Sequence, residues 1–82
     1  MRVAVDISLY PLAEEFLTPI EDVIRRLNEH EAIEVETNPM STQVRGEYDD
    51  VMHVLEREIK RTFEQVPKAV FAIRILNNPL AD

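Results

Sequence analysis

The chain contains no cysteine, no tryptophan and one glycine, Gly46, in 82 residues. Without cysteine it forms neither a disulfide nor a thiolate metal cluster, and a reducing cytoplasm is the expected compartment. A single glycine cannot build the glycine-rich turns that cradle nucleotide phosphates, which excludes the enzyme classes that depend on them. Positive charge is also scarce. Nine Lys and Arg against sixteen Asp and Glu leave a formal charge of −7, which repels nucleic-acid backbones and anionic membrane surfaces. Long apolar runs are missing too: Asp6 and Ser8 interrupt the first hydrophobic stretch, so neither a signal peptide nor a membrane span is expected.

What is present suits one small soluble domain, with 45% hydrophobic and 30% charged residues. A chain of this size buries only about 60–65% of its unfolded surface, so self-association is an expected source of further stability. From Val3 to Leu9 the apolar residues alternate, as in a half-buried strand. Thr18-Pro19-Ile20-Glu21 reads as a capping box with proline at the first helical position, followed by a stripe of Ile20, Val23, Ile24 and Leu27. Arg25 and Arg26 suit the negative end of that helix dipole. Ala32 to Thr37 and Met40 to Arg45 read as a hairpin broken by Asn38-Pro39, with Ile33, Val35, Thr42 and Val44 facing inward. A second helix follows Gly46, with a stripe of Val51, Met52, Leu55, Ile59 and Phe63, and Pro67 ends it. Val70 to Leu76 supplies the last strand, with Phe71, Ile73 and Ile75 on one face.

The order β-α-β-β-α-β predicts an α+β, ferredoxin-like sandwich: a four-stranded antiparallel sheet with both helices on one face. Residues 1–78 form the domain and 79–82 a C-terminal tail. The uncovered face carries Asp6, Ser8, Tyr10, Glu34, Glu36, Ser41, Gln43, Arg45, Val70, Ala72 and Arg74. That mixture suits a contact between chains that encloses a polar pocket, giving a homo-oligomer, dimer or tetramer, through sheet faces.

Chemistry-bearing patterns are few. His30 and His53 lack a histidine three or four residues away, so no metal site is expected. No histidine falls in a strand beside Ser8 or Ser41, and no Gly-x-Ser-x-Gly turn occurs, so no catalytic residues are assigned. The carboxylate pairs Asp49-Asp50, Glu14-Glu15 and Glu34/Glu36 read as solvated faces and helix starts. The segment from Glu36 to Asp49 differs, because it gathers Thr37, Asn38, Ser41, Thr42 and Gln43 in one hairpin. Short hydroxyl and amide groups at that density suit a neutral heterocycle with several hydrogen-bonding edges, and equally an ordinary polar hairpin. Gly46 marks either a left-handed or a closely approached backbone position.

Asp6-Ile7-Ser8-Leu9-Tyr10-Pro11-Leu12, Glu36-Thr37-Asn38, Met40-Ser41-Thr42-Gln43-Val44 and Gly46-Glu47-Tyr48-Asp49 resemble motifs of the thiamine- and hydroxymethylpyrimidine-binding YkoF-like family and of the related single-domain thiamine-binding family. The resemblance spans nearly the whole chain. It implies a small-molecule binding protein without catalysis or cofactor, which holds the pyrimidine of thiamine on the sheet side. Larger relatives carry two such domains, so a single-domain chain is expected to rebuild the arrangement by self-association. Ser8, Thr37, Asn38, Ser41, Thr42 and Gln43 are then hydrogen-bonding candidates, Tyr10 a stacking surface, and Asp6, Glu36 or Glu47 partners of the thiazolium cation. Two positions depart from the family pattern: Pro39 where a glycine often follows Thr-Asn, and Arg45 where a bulky apolar residue is frequent. An arginine there suits a phosphorylated ligand. Two other readings compete: a regulatory or assembly module acting through its sheet, and a cofactor-independent enzyme using Asp6.

Overall fold

The computed structural model describes residues 1–79, so the expected tail lies, from residue 80 on, outside the described residues. Six elements follow in the expected order: β1 (Arg2–Pro11), α1 (Leu17–Asn28), β2 (Glu34–Thr37), β3 (Thr42–Glu47), α2 (Tyr48–Gln65) and β4 (Ala69–Asn77). The strands form one antiparallel sheet in the order β2-β3-β1-β4. This is the ferredoxin-like α+β arrangement.

Alternation in β1 puts Val3, Val5, Ile7 and Leu9 under the helices, joined there by Val44 and Thr42 from β3 and Ile33 ahead of β2. Val23 and Leu27 of α1 and Val51, Val54 and Leu55 of α2 close this core. Pro11 is tolerated at the end of β1 because its pairing with β3 stops at Ile7↔Thr42, so no ladder bond needs the missing N–H. Gly46 is the closely approached position: a Cβ there would lie 3.4 Å from both the Ala32 carbonyl oxygen and Val51 Cγ2.

Three local expectations are corrected. α1 begins at Leu17 and has no side-chain cap at its N-cap residue, Phe16. Instead the Thr18 amide donates to Glu15 Oε1 at 2.9 Å, a bond that holds the Glu15 carboxyl below the usual carboxylate range. Pro19 therefore sits third in the helix, still within the turn whose N–H groups lack helical partners. The hairpin strands also run shorter or later than their apolar patterns, at Glu34–Thr37 and Thr42–Glu47. Phe63 does not enter the core; it is half-exposed and tilts against the Phe71 ring, centroids 5.6 Å apart.

Candidate ligand-binding site

The hairpin turn is built by Asn38. Its side-chain Oδ1 accepts from the Met40 amide at 2.8 Å and the Ser41 amide at 3.0 Å, while its own amide donates to the Ser41 carbonyl at 3.0 Å. Pro39 fits between, since no bond is asked of its nitrogen. Below the turn the Thr37 and Thr42 hydroxyls meet at 3.1 Å and tie β2 to β3.

A cleft of about 220 Å³ opens between this turn and α1. Ile20, Val23, Ile24 and Leu27 form its helical wall, Ile7, Leu9 and Phe71 its apolar floor, and Thr37 to Thr42 its polar rim. Ser8 and Tyr10 of β1 also border it, although strand alternation turns their side chains to the opposite face from Ile7 and Leu9, and Tyr10 is the one titratable residue in the lining. An apolar slot with hydroxyl and amide groups on one side can hold the face of a ring and address its edge.

The helical wall is fixed from behind by a buried ion cluster. Arg26, buried on α1, places Nε 2.9 Å from Oε1 of the buried Glu58 on α2, and its terminal nitrogens donate to Thr62 Oγ1 at 2.5 Å and Gln65 Oε1 at 3.4 Å. His30 Nε2 lies 2.7 Å, and Arg61 3.3 Å, from Glu58 Oε2. Burial pushes the Glu58 carboxyl up, but the His30 hydrogen bond and the Arg61 and Arg26 charges outweigh it, and the group rests below the usual carboxylate range. The sequence analysis placed Arg26 at the helix dipole and assigned His30 no partner. The available signal was an arginine next to Leu27 in the buried stripe, and Glu58 at the α2 position between Leu55 and Thr62.

The family model for thiamine-binding proteins matches residues 5–79. The chain belongs to that family. Its fold is shared with solved proteins of low sequence identity. A protein from Streptococcus pneumoniae superposes with a TM-score of 0.90 at 19% identity, covering 100% of this chain and 92% of that one. A protein from Thermotoga maritima, provisionally assigned to thiamine biosynthesis or salvage, gives 0.85 at 20%, covering 95% and 85%. A hypothetical protein from Methanocaldococcus jannascii gives 0.82 at 19%, covering 99% and 84%. Comparison with curated protein sequences gives no significant match.

Within this thiamine-binding family member, Ser8, Tyr10, Thr37, Asn38, Ser41 and Thr42 all border the cleft, but only Thr37 and Thr42 turn their side chains toward the helices, whereas those of Ser8, Tyr10 and Ser41 alternate to the open face. Asp6, Glu36, Gln43, Arg45 and Glu47 stand elsewhere. Along β3 the side chains of Thr42 and Val44 face the helices, so those of Gln43 and Arg45 face the opposite side, with Glu36 beside Gln43 and Glu34 beside Arg45 in register. Asp6 lies on that open face as well, where Arg74 Nε donates to its Oδ2 at 3.0 Å. The Ser41 side chain and Arg74 together hold the Asp6 carboxyl below the usual carboxylate range. Glu47 ends β3 at the far end of the sheet, its Oε2 3.1 Å from the Met1 amine. Among the described residues no group of three or more His, Asp or Glu could hold a metal ion, and no helix is long and apolar enough to cross a membrane.

Proposed function

We propose that this protein binds, without transforming it, the hydroxymethylpyrimidine moiety of thiamine, free or as part of the vitamin, in the cleft between α1 and the β2–β3 turn. The observation that carries this reading is the composition of that cleft: four aliphatic side chains of α1 facing the β2–β3 turn with its Thr37 and Thr42 hydroxyls, and no carboxylate, imidazole or amine among the lining residues. A binding site for a neutral ring needs shape and hydrogen-bonding edges, whereas acid–base or nucleophilic catalysis needs a titratable pair. The volume of about 220 Å³ lies below the range usual for drug-sized ligands, about 300–1,000 Å³, and suits a single substituted ring. Family membership supports thiamine as the vitamin concerned. Salvage or transport within the cytoplasm is the role in which a binder without catalytic groups is useful.

Calorimetric titration with thiamine, hydroxymethylpyrimidine, thiamine phosphate and, as control, pyridoxine tests this. Saturable heat from one of the first three and none from pyridoxine is the expected result. Thr37→Val weakens that binding about tenfold, the size of one lost hydrogen bond, while Gln43→Ala, on the other side of the sheet, leaves it unchanged. No heat with any pyrimidine, from a well-folded protein, would overturn the proposal and put the assembly-module reading first.

A further inference from the structure

Among the described residues, Met40 is the most exposed large apolar side chain, at 87%. A single exposed apolar group is ordinary, but this one also borders the cleft. The other methionines do not. Met1 lies at the far end of the sheet beside Glu47, and Met52 packs against the core from α2.

The backbone around Met40 is held, while its side chain is not. Its amide donates to Asn38 Oδ1 at 2.8 Å, the Ser41 amide donates to the same oxygen at 3.0 Å, and Pro39 restricts the chain just before it. Counted back along β3, Met40 has the parity of Thr42 and Val44, whose side chains face the helices. The turn thus presents Met40 at the mouth of the cleft, across from Ile20 and Ile24 of α1, which are only partly buried. Below the turn, on the same side of the sheet, the Thr37 and Thr42 hydroxyls meet. A flat ring between the turn and α1 removes apolar surface of Met40, Ile20 and Ile24 from water together. Methionine suits such a wall, because its unbranched chain adapts its shape and its polarisable thioether packs favourably on aromatic rings. A β-branched side chain would impose one fixed shape.

On the reading that the cleft takes a pyrimidine, we propose that Met40 is the residue that covers the bound ring: its thioether packs on the ring from the turn side, opposite Ile20 and Ile24, while Thr37 and Thr42 address the ring's edge. The ligand class this selects is a flat aromatic ring presented singly, since a cleft of about 220 Å³ suits one substituted ring. A larger substituent, the thiazolium of the vitamin included, leaves past Met40 into solvent. Met40 therefore contributes equally to the binding of free hydroxymethylpyrimidine and of thiamine.

Calorimetry and methyl NMR of the whole chain test this. Met40→Ala should weaken both ligands by the same factor, about tenfold, with an unchanged thermal midpoint because the side chain removed is exposed. Met40→Leu, still apolar, should keep the affinity to within about threefold, whereas Met40→Gln, unbranched and of similar length but polar, should bind as weakly as Met40→Ala. With isotope-labelled methionine methyls the chain gives three signals. Hydroxymethylpyrimidine should move that of Met40 upfield, as a ring does to a methyl over its face, and leave those of Met1 and Met52 in place. Saturable binding by the wild type with an unmoved Met40 signal, or full affinity in Met40→Ala, would overturn the proposal while leaving the cleft as the binding site. Absence of binding by the wild type would overturn the pyrimidine reading and this assignment with it. A Met40 signal that follows protein concentration and not ligand would give the side chain to a contact between chains, and would overturn the proposal too.

Discussion

Asn38 shows how one side chain can serve a site without touching what the site binds. Its Oδ1 is committed to the Met40 and Ser41 amides, so it shapes the turn below which the Thr37 and Thr42 hydroxyls meet. Asn38→Ala removes two local hydrogen bonds from an exposed turn and should cost about 1 kcal/mol, read as a drop of about 4–8 °C in the thermal midpoint. Asn38→Asp retains the acceptor and should keep most of that stability; an equal loss in both variants would mean that the turn depends on the amide nitrogen instead. The polar hairpin was legible in the sequence because residue type and turn chemistry are local properties. Which of its members share a cleft was legible only in part. Thr42 and Gln43 are neighbours in the chain, yet the pleat sends them to opposite sides of the sheet, and the sequence does not say on which side α1 leaves a gap. Arg45 is the clearest case: it follows Val44 onto the open face, away from the rim, so the phosphate contact expected of it has no place in this cleft.

At the level of elements, α1 is both the wall of the cleft and the helix with least to hold it. It buries only Val23, Leu27 and Arg26, and the last of these reaches α2 through Glu58. Removing one partner of such a buried pair strands the other, so Glu58→Gln should destabilise the fold by about 3 kcal/mol at neutral pH. The same carboxylate sets an acid limit. Its titration is depressed in the folded state, so its contribution is complete above the unfolded glutamate value of about 4.3 and is lost as pH falls through the lower folded value. Urea unfolding of the wild type should therefore show stability declining below about pH 4.3, with a shallower decline in Glu58→Gln, which has no proton to take up at that site. Parallel slopes would assign the acid loss to other carboxylates. Strand and helix order followed from apolar periodicity, because that pattern records which side of an element is covered. The ion cluster escaped it: a charged residue within a buried stripe reads as an interruption until the facing helix shows its counter-charge.

At the scale of the whole molecule, the strand order decides what periodicity cannot. Val70 to Leu76 reads as a strand with an inward face of Phe71, Ile73 and Ile75, and in β1 the same pattern does mean burial. Placed at the edge, however, β4 receives neither helix squarely, since α2 lies over β3 and β1 while α1 lies over β1 and β2. Its inward face stays half-open, and its outer backbone groups lack a strand beyond them. If the self-association expected of so small a chain covers that edge, folding and association become one equilibrium. Stability then depends on protein concentration. Each tenfold increase stabilises a dimer by about 1.4 kcal/mol, about 0.7 kcal/mol per chain, which for a domain of this size raises the thermal midpoint by about 3–6 °C. Scanning calorimetry over two decades of concentration should thus move the wild-type midpoint by about 6–12 °C and leave Ile75→Lys in place. A wild-type midpoint independent of concentration would show that the chain folds alone, with the apolar edge of β4 left to water.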